Sequence, residues 1–354
     1  MSKNLTFLLL PLLLFSYCTQ ERSDIRVVCE FIPSGFYKIK WETFPPMEGK
    51  VKIYESSVPD SFNLSSPTAE VEINKGFKDV FIVRPSQRSY FKLVFNKKYS
   101  IITAERKIPM QRLSNFRDFG GYINSDGKQV QWGKIYRSAS LAYVTLQDAK
   151  VLKNLGIQTV IDFQSDRDRI KAPSRYPSPQ NFNFPLLGSP PNIYFSTILA
   201  KEVKAEEVKK YAQDIFSFLL GDNSEYFIKM FNVLLDRDNY PVLFYCADGS
   251  SRTSVASALI LAALDINIDD IINDYMLTNE QIDFSSLIPS EDNIFMQDQE
   301  IQETFTALFR AHRGTITYSF DKIVKGYGSL DNYFTTILNL TPEKRGKLKE
   351  ILLY

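Results

Sequence analysis

The stretch "YPVLFYCADGSSRTSVASALILAAL" (residues 240–264) connects two apolar runs through a short loop of small and polar residues. The first run, "YPVLFY", is typical of a buried central strand in a parallel sheet. The second run begins at Arg252 and predicts a helix directly after the loop. The residues from Cys246 to Arg252 are therefore expected at a helix N-terminus, where unpaired backbone N–H groups favour an anion.

The composition of this loop suits a phosphate. Its inner residues are small or turn-forming, so successive N–H groups can converge on three phosphate oxygens, and the guanidinium of Arg252 can bind two of them. The candidate phosphate-binding residues are Ala247, Asp248, Gly249, Ser250, Ser251, Arg252 and Thr253.

The thiol of Cys246 is the candidate nucleophile. A helix N-terminus and a nearby arginine lower the pKa of a thiol, so we expect a thiolate at neutral pH, with Thr253 donating a further hydrogen bond to it. Such a thiolate can displace a phosphoester through a cysteinyl-phosphate that water later cleaves. The alternative is a buried structural cysteine followed by a surface arginine, and the strand before the loop and the helix after it favour the catalytic interpretation.

Around this loop, strands alternate with helices, which indicates an α/β layer with parallel strands. Strands are predicted at "GKIYRSAS" (133–140), "IQTVIDFQ" (157–164) and "NFNFPLL" (181–187). Thr145 and Gly156 mark the start and the end of a helix between the first two. Amphipathic helices are predicted over 201–219 and 224–236, and the chain after 253 is almost wholly helical, with Thr341-Pro342 beginning one helix.

Residues 23–108 have a different character, with about seven short strands separated by turn residues. This pattern predicts a small antiparallel β-sandwich of the immunoglobulin or fibronectin-III type, a common spacer or binding platform. No catalytic constellation occurs in it.

The N-terminal residues 1–18 are typical of an export signal, with Lys3, the apolar run "LTFLLLPLLLF" and then Cys18. The run is too short to span a bilayer. "FSYC" resembles the lipobox of bacterial lipoproteins, although Tyr17 departs from the usual small residue. We therefore expect lipidation at Cys18 and a membrane-anchored protein of the cell envelope, at the periplasm or cell surface, with ordinary secretion as the alternative.

The charge balance gives no reason to expect nucleic acid or an anionic membrane surface as a partner, because the chain has 42 basic and 41 acidic residues. The two cysteines outside the anchor, Cys29 and Cys246, fall in different predicted domains. A structural disulfide is therefore not expected.

Four segments carry a resemblance to a known family: the loop itself, "NFRDFGGY" (115–122), "WGKIYRSASL" (132–141) and "LGIQTVIDFQSDRD" (155–168). They are similar to the bacterial protein tyrosine phosphatases related to the dual-specificity enzymes, and "YGSLDNYFTTILNLTPEKRGKLKEILL" (327–353) fits the closing helices of that family. The resemblance covers residues 109–354 and implies an α/β fold with a parallel-rich sheet flanked by helices. It also implies Cys246 as nucleophile, Arg252 as phosphate clamp, a phosphorylated protein or small phosphoester as substrate, and no cofactor or metal.

The chain departs from that family at three positions of the loop. Tyr245 stands where the family usually has histidine, and Ser250-Ser251 stand where it has Lys-Asp, a candidate general acid in relatives. The acid is then Asp248, one of Asp162, Asp166 and Asp168, or missing. Losing a general acid slows the release of a phenol less than that of an alkyl alcohol, so we expect phosphotyrosine-like esters rather than phosphoserine as substrates. The loop also lacks a lysine that would help to bind a polyanionic lipid headgroup, so phosphoinositides are a less favoured substrate class.

Asn115, Arg117 and Asp118 are expected to support a rigid turn beside the loop, with substrate contact as the alternative, and Arg137 carries the same two interpretations. His312 is expected on a helix surface. Two other functions stay open: a catalytically impaired phosphate- or phosphoprotein-binding lipoprotein, and an adhesin or scaffold built on the sandwich. In the enzymatic interpretation, deleting 23–108 should spare small-substrate hydrolysis.

Overall fold

The structure is a computed structural model that describes residues 24–81, 88–186, 197–282 and 298–354. The predicted export signal and Cys18 lie outside the described residues.

Seven strands in the described residues 24–81 and 88–104 form two antiparallel sheets, with strand orders β1-β2-β5 and β4-β3-β6-β7. The seven strands are β1 (Asp24–Ile32), β2 (Phe36–Phe44), β3 (Lys50–Ser56), β4 (Ala69–Glu72), β5 (Phe77–Phe81), β6 (Tyr90–Phe95) and β7 (Tyr99–Ala104). Alternate residues of β2 are buried, as expected for a strand with one face toward a core. From that face Tyr37 and Trp41 make ring contacts with Phe91 and Phe95 of the opposite sheet. The predicted antiparallel sandwich is therefore present.

The second region is built on a five-stranded sheet of order β11-β10-β12-β9-β8. Its strands are β8 (Arg117–Asp118), β9 (Ile135–Ser138), β10 (Thr159–Asp162), β11 (Gln180–Asn183) and β12 (Val242–Tyr245). β12 is parallel to both β9 and β10, β11 is parallel to β10, and only β8 is antiparallel to its neighbour. The carboxyl ends of β9, β10 and β12 consequently meet at one edge of the sheet, with β12 in the middle.

Helices cover both faces of this sheet. Their bounds are α1 (Leu146–Asn154), α2 (Asp166–Lys171), α3 (Ala205–Asp222), α4 (Ser224–Leu234), α5 (Arg252–Ala263), α6 (Ile268–Met276), α7 (Thr278–Gln281), α8 (Gln299–Phe309), α9 (Arg313–Tyr327), α10 (Leu330–Thr336) and α11 (Pro342–Leu352). In β12, Val242 and Phe244 pack on the side of α5, whereas Leu243 and Tyr245 pack on the side of α1. The parallel-rich sheet flanked by helices is confirmed.

Local helix signals behave as the sequence predicts. Thr145 accepts a hydrogen bond from the Asp148 N–H in a capping box at the start of α1, and Gly156 beyond its end has a φ of +70°. Thr341 caps α11, which has Pro342 in its first turn. The helix predicted over 201–219 extends from 205 to 222 instead.

Among the described residues, every helix is too short or too polar to cross a bilayer.

Candidate active site

The thiol of Cys246 lies where β12 ends and the loop to α5 begins, and its side chain is buried. The Gly249 N–H donates a hydrogen bond to Sγ at 3.2 Å, and the Thr253 N–H donates another. The thiol itself donates to Oδ1 of Asp248 at 3.3 Å, and Oγ1 of Thr253 lies 3.9 Å from Sγ. The loop therefore surrounds the sulfur with two N–H donors and one carboxylate.

Gly249 gives the loop its shape. Its φ of +73° belongs to the left-handed region that favours glycine. A Cβ at this position would come within 2.9 Å of the Ala139 N and the Ser138 O, which are backbone atoms that cannot easily move. The turn is thus pressed against the end of β9, and its N–H is directed at the sulfur.

Two side chains, from Asn115 just before β8 and from Arg137 in β9, hold the carbonyl oxygen of Gly249. Nδ2 of Asn115 donates to it at 2.7 Å and Nη2 of Arg137 at 2.9 Å. Asn115 has a φ of +55°, a conformation that asparagine tolerates better than most residues. Both residues therefore support the loop, which is the first of the two roles considered for them.

Arg137 is fully buried and connects the loop to α5 and α6. Besides Gly249, its guanidinium donates to Oγ of Ser254 at 2.7 Å, Oγ of Ser257 at 2.8 Å and Oδ2 of Asp274 at 2.8 Å. Burial, together with the charge of Arg117, lowers the pKa of Arg137 to about 10, while Asp274 opposes that change.

Arg117 is the second buried cation of this cluster. It donates to the side-chain oxygen of Asn115, forms an ion pair with Asp274 at 3.4 Å and donates to the Asp274 carbonyl at 3.0 Å. Burial alone would raise the pKa of Asp274, but the charges of Arg117, Arg137 and Arg106 outweigh it and hold that pKa below its ordinary value. Arg117, Arg137 and Asp274 thus place one net positive charge beneath the loop.

Arg252 is the first residue of α5. Its guanidinium forms an ion pair with the carboxylate of Asp168, with 3.1 Å between Nη1 and Oδ2. Arg252 is largely buried, and the side chain of Asp168 is about one third exposed. The predicted phosphate clamp therefore has a carboxylate partner from the segment that follows β10.

Asp248 is the carboxylate nearest the sulfur. Its Oδ1 accepts the Ser250 N–H at 2.9 Å and its Oδ2 accepts the Ser250 hydroxyl at 2.7 Å. Two of the loop N–H groups predicted to bind phosphate are in this way directed at Sγ and at Asp248.

The sequence predicts a lowered pKa for the Cys246 thiol, and the structure contradicts this. Burial and, after it, the negative charge of Asp248 raise that pKa to about 11, although Arg252 and the Thr253 N–H lower it. The helix N-terminus and the arginine act in the expected direction, but they do not compensate for a carboxylate 3.3 Å from the sulfur. In this arrangement the side chain of Cys246 is a thiol that donates to Asp248.

The other predicted carboxylates occupy different positions. Asp162 ends β10, accepts the Gln164 N–H at 2.8 Å, and burial raises its pKa. Asp166 is exposed and paired with Arg169. Asp118 does not lie in the loop: it is fully buried and binds Arg88 from the sandwich and the Gly120 and Gly133 N–H groups.

The side chains of two residues that the sequence analysis did not assign to the site lie away from the sulfur. The hydroxyl of Tyr245 is hydrogen-bonded to Asp162 on the α1 side of the sheet, so it does not take the place of a histidine beside the sulfur of Cys246. His312 is the residue before α9, and its Nε2 is hydrogen-bonded to the carbonyl of Ala307 in α8.

Asp274, Ser254 and Ser257 hold the loop support in place and were missed by sequence reasoning. The two serines occur in "RTSVASAL", where their spacing along the helix was a usable signal. Asp274 comes from α6, whose sequence gives no sign of the partners that it meets. Among the described residues, no group of three acidic, histidine or cysteine side chains could hold a metal ion.

Residues 108–354 match the sequence profile of the tyrosine phosphatase family. A Cupriavidus necator protein, provisionally named a tyrosine-protein phosphatase, is 25% identical over 244 residues, which are 68% of this chain and 86% of that protein. The catalytic core of the PP-IP phosphatase Siw14 of S. cerevisiae, solved with citrate, is similar over 56% of this chain and 93% of its own, with 14% identity and a TM-score of 0.28. TpbA of P. aeruginosa is similar over 51% of this chain and 89% of its own, with 16% identity and a TM-score of 0.23.

Proposed function

Because the chain belongs to the tyrosine phosphatase family and is a phosphatase of that type, we propose that it hydrolyses phosphotyrosine or similar aryl phosphomonoesters through a cysteinyl-phosphate on Cys246. The observation that carries the proposal is the position of Sγ, which lies between the N–H groups of Gly249 and Thr253 and donates to Asp248.

Asp248 activates the nucleophile in this proposal. A thiol is a weak nucleophile until a base removes its proton, and Oδ1 of Asp248 is already hydrogen-bonded to it. As the S–P bond forms, the proton passes from Sγ to Asp248. Arg252 and the loop N–H groups stabilise the charge that develops on the phosphoryl oxygens.

The leaving group then needs a proton, and Asp248 holds one. As the ester P–O bond breaks, the proton moves from Asp248 to the phenolic oxygen and the carboxylate is restored. In the second half-reaction water attacks phosphorus, its proton goes to Asp248, the S–P bond breaks, and the same proton returns to the sulfur. Proton and charge balance over both steps with Asp248 as the only relay.

Asp168 is the competing general acid, because its carboxylate lies against Arg252, the residue that would bind the phosphoryl group. The leaving group separates the two candidates. General acid catalysis contributes typically 10²- to 10⁴-fold and matters most for poor leaving groups. The variant that removes the acid should slow an alkyl phosphate far more than p-nitrophenyl phosphate.

The test is steady-state hydrolysis of p-nitrophenyl phosphate, a phosphotyrosine peptide and a phosphoserine peptide by the wild type and by Cys246→Ser. We expect turnover by the wild type in the order aryl over alkyl, no turnover by the variant, and a phosphate-labelled wild-type protein after acid quenching. Turnover that survives Cys246→Ser would exclude the proposed nucleophile.

The alternative is a phosphate- or phosphoprotein-binding protein with impaired turnover. In that case the wild type and Cys246→Ser would bind a phosphotyrosine peptide equally well, and neither would hydrolyse it.

From residues 1–18 alone we also propose export and lipid attachment at Cys18, which would place the enzyme at the cell envelope. Support comes from the apolar run and the lipobox-like "FSYC". Mass spectrometry of the N-terminal peptide from expressing bacteria, with Cys18→Ala as control, tests the proposal, and an unmodified Cys18 would contradict it.

A further inference from the structure

The catalytic loop lies between two other segments that leave the same edge of the sheet. β12 sits between β9 and β10, so residues 139–146 after β9 and residues 163–171 after β10 run along opposite sides of the loop. Both are in contact with it: the Ser140 N–H donates to the Ala247 carbonyl at 3.2 Å, and Asp168 pairs with Arg252 at 3.1 Å. The rest of a substrate whose phosphate is bound in the loop would therefore lie against these two segments.

These two segments expose large apolar side chains to an unusual degree. Leu146 is 93% exposed, Ile170 81% and Tyr143 62%. In the described part of residues 109–354, the next most exposed large apolar residue is Val324, at 42%. Single exposed apolar residues are ordinary on a protein surface. Here, however, the three most exposed ones in the described part of this region all flank one loop.

The segment after β10 is also basic. Residues 165–175 contain two acidic residues, both already paired, and four basic ones, which gives an excess of two positive charges. Arg167, Lys171 and Arg175 are exposed. The Arg175 N–H donates to the Leu141 carbonyl at 3.1 Å, which ties the end of this segment to the one after β9.

We propose that the flanking surface formed by Tyr143, Leu146 and Ile170 binds the polypeptide on both sides of a phosphotyrosine, with an acidic residue of the substrate facing the basic segment. The inference rests on the proposed function and names its substrate class: phosphotyrosine within an extended chain that has apolar and acidic neighbours. When an extended peptide binds with its phosphotyrosine in the loop, the residues before the phosphotyrosine contact one of these two segments and the residues after it contact the other.

An anionic membrane is the other surface that exposed apolar and basic residues could meet. The loop argues against a phosphorylated lipid headgroup, because Ser250 and Ser251 carry no charge and Arg252 already has a carboxylate partner. A polyanionic headgroup would also approach Asp248 and Asp168. A peptide with a single phosphate brings fewer negative charges close to these two carboxylates than a polyanionic headgroup does, so it is repelled less.

The experiment compares the wild type with a triple variant, Tyr143→Ser, Leu146→Ser and Ile170→Ser. Exposed positions tolerate serine, and an unchanged Tm checks that the variant is folded. The measured quantity is kcat/KM for a phosphotyrosine peptide with leucine and glutamate neighbours, divided by kcat/KM for p-nitrophenyl phosphate. We expect this ratio to fall about 10-fold or more in the triple variant, equivalent to about 1.4 kcal/mol. The control Val324→Ser, on α9, should keep the wild-type ratio.

An unchanged ratio in the triple variant would overturn the proposal. If the triple variant kept its ratio of kcat/KM values but no longer bound vesicles containing a phosphorylated inositol lipid, the proposal would also be overturned, because the surface would then bind a membrane. If the wild type hydrolyses nothing, the proposed function fails, yet the surface can still be tested. The affinity of Cys246→Ser for a fluorescent phosphopeptide should then weaken about 10-fold on adding the three changes, and an unaltered affinity would refute the docking role.

Discussion

Replacing Asp248 by asparagine should make the Cys246 thiol more reactive and the enzyme slower. The two effects have opposite signs because Asp248 has two roles in the proposed mechanism. As a negative charge beside the sulfur it opposes thiolate formation. As a proton acceptor and donor it assists both bond making and bond breaking. Asparagine keeps the shape of the side chain but removes both roles.

The size of the first effect follows from the distance between Sγ and Oδ1, which is 3.3 Å. Two unit charges at that separation repel by about 1.3 kcal/mol at the dielectric constant of water and by about 5 kcal/mol at an effective value of 20. Asp248 is half-buried, so we take a value toward the lower limit. At about 1.4 kcal/mol per pKa unit, the pKa of the thiol falls by about 1 to 2 units.

Alkylation by iodoacetamide at pH 7 measures this change. The thiolate fraction rises about 10- to 100-fold, but a less basic thiolate is intrinsically less nucleophilic, with a Brønsted coefficient of about 0.5. The net alkylation rate should therefore rise about 3- to 10-fold. Over the same change, kcat for a phosphotyrosine peptide should fall about 10²- to 10⁴-fold.

Asp166→Asn is the matched control, because it neutralises an exposed aspartate that is already paired with Arg169. It should leave both rates near their wild-type values. If Asp248→Asn slowed alkylation and turnover together, Asp248 would be stabilising the thiolate or merely shaping the loop, and both of its proposed roles would be refuted.

Three further changes test other parts of the site. Gly249→Ala should lower kcat at least 10²-fold without unfolding the protein, because a φ of +73° and Cβ contacts at 2.9 Å force the loop to move. Steady-state kinetics together with far-ultraviolet circular dichroism would test this, and an unchanged kcat would contradict it. Asp168→Asn frees the guanidinium of Arg252, so inorganic phosphate should inhibit about 3- to 10-fold more strongly, and unaltered inhibition would mean that the ion pair does not compete with substrate. Asp274→Asn leaves the buried cations Arg117 and Arg137 without their counter-charge and should lower the free energy of unfolding in urea by about 3–5 kcal/mol; a loss below about 1 kcal/mol would count against the buried cluster.

Those parts of the fold with a local cause could be predicted from the sequence. β12 is an unbroken apolar run between two predicted helices, and a strand buried on both faces has that pattern. Thr145 and Thr341 cap helices through their own neighbours in sequence. The two-residue strand β8 was not predicted, since it exists only by pairing with β9.

The site divides in the same way. The positions of Cys246, Gly249 and Arg252 around a helix N-terminus follow from one continuous segment. The support beneath them does not, because Arg137 and Asp274 are 137 residues apart and meet only in the folded chain. The pKa of the thiol was mispredicted for a related reason: a helix N-terminus and an arginine are visible in the sequence, whereas burial and the direction of the Asp248 side chain are properties of the fold.

The buried cluster also explains why the sandwich is more than a spacer. Arg106, just beyond β7, donates to the Asp118 carbonyl at 3.0 Å and lies 4.1 Å from the centre of the Tyr122 ring. The Tyr122 hydroxyl donates to Asp274 at 3.0 Å, and Asp274 holds the arginine that binds the Gly249 carbonyl. From the sandwich itself, Arg88 pairs with the fully buried carboxylate of Asp118.

Deleting residues 23–108 would therefore remove both arginines and leave Asp118 buried without its cation. Breaking a buried ion pair from one side costs about 3–5 kcal/mol, a large part of the stability of an ordinary domain. Trp132 would lose its cover as well, because it packs on Tyr90, Ile102 and Ala104 and donates to the Ile102 carbonyl. The expectation that small-substrate hydrolysis survives this deletion treats the sandwich as a separate module. These contacts argue instead that the sandwich and the phosphatase region stabilise one another, and that the shape of the loop from Cys246 to Arg252 depends on both.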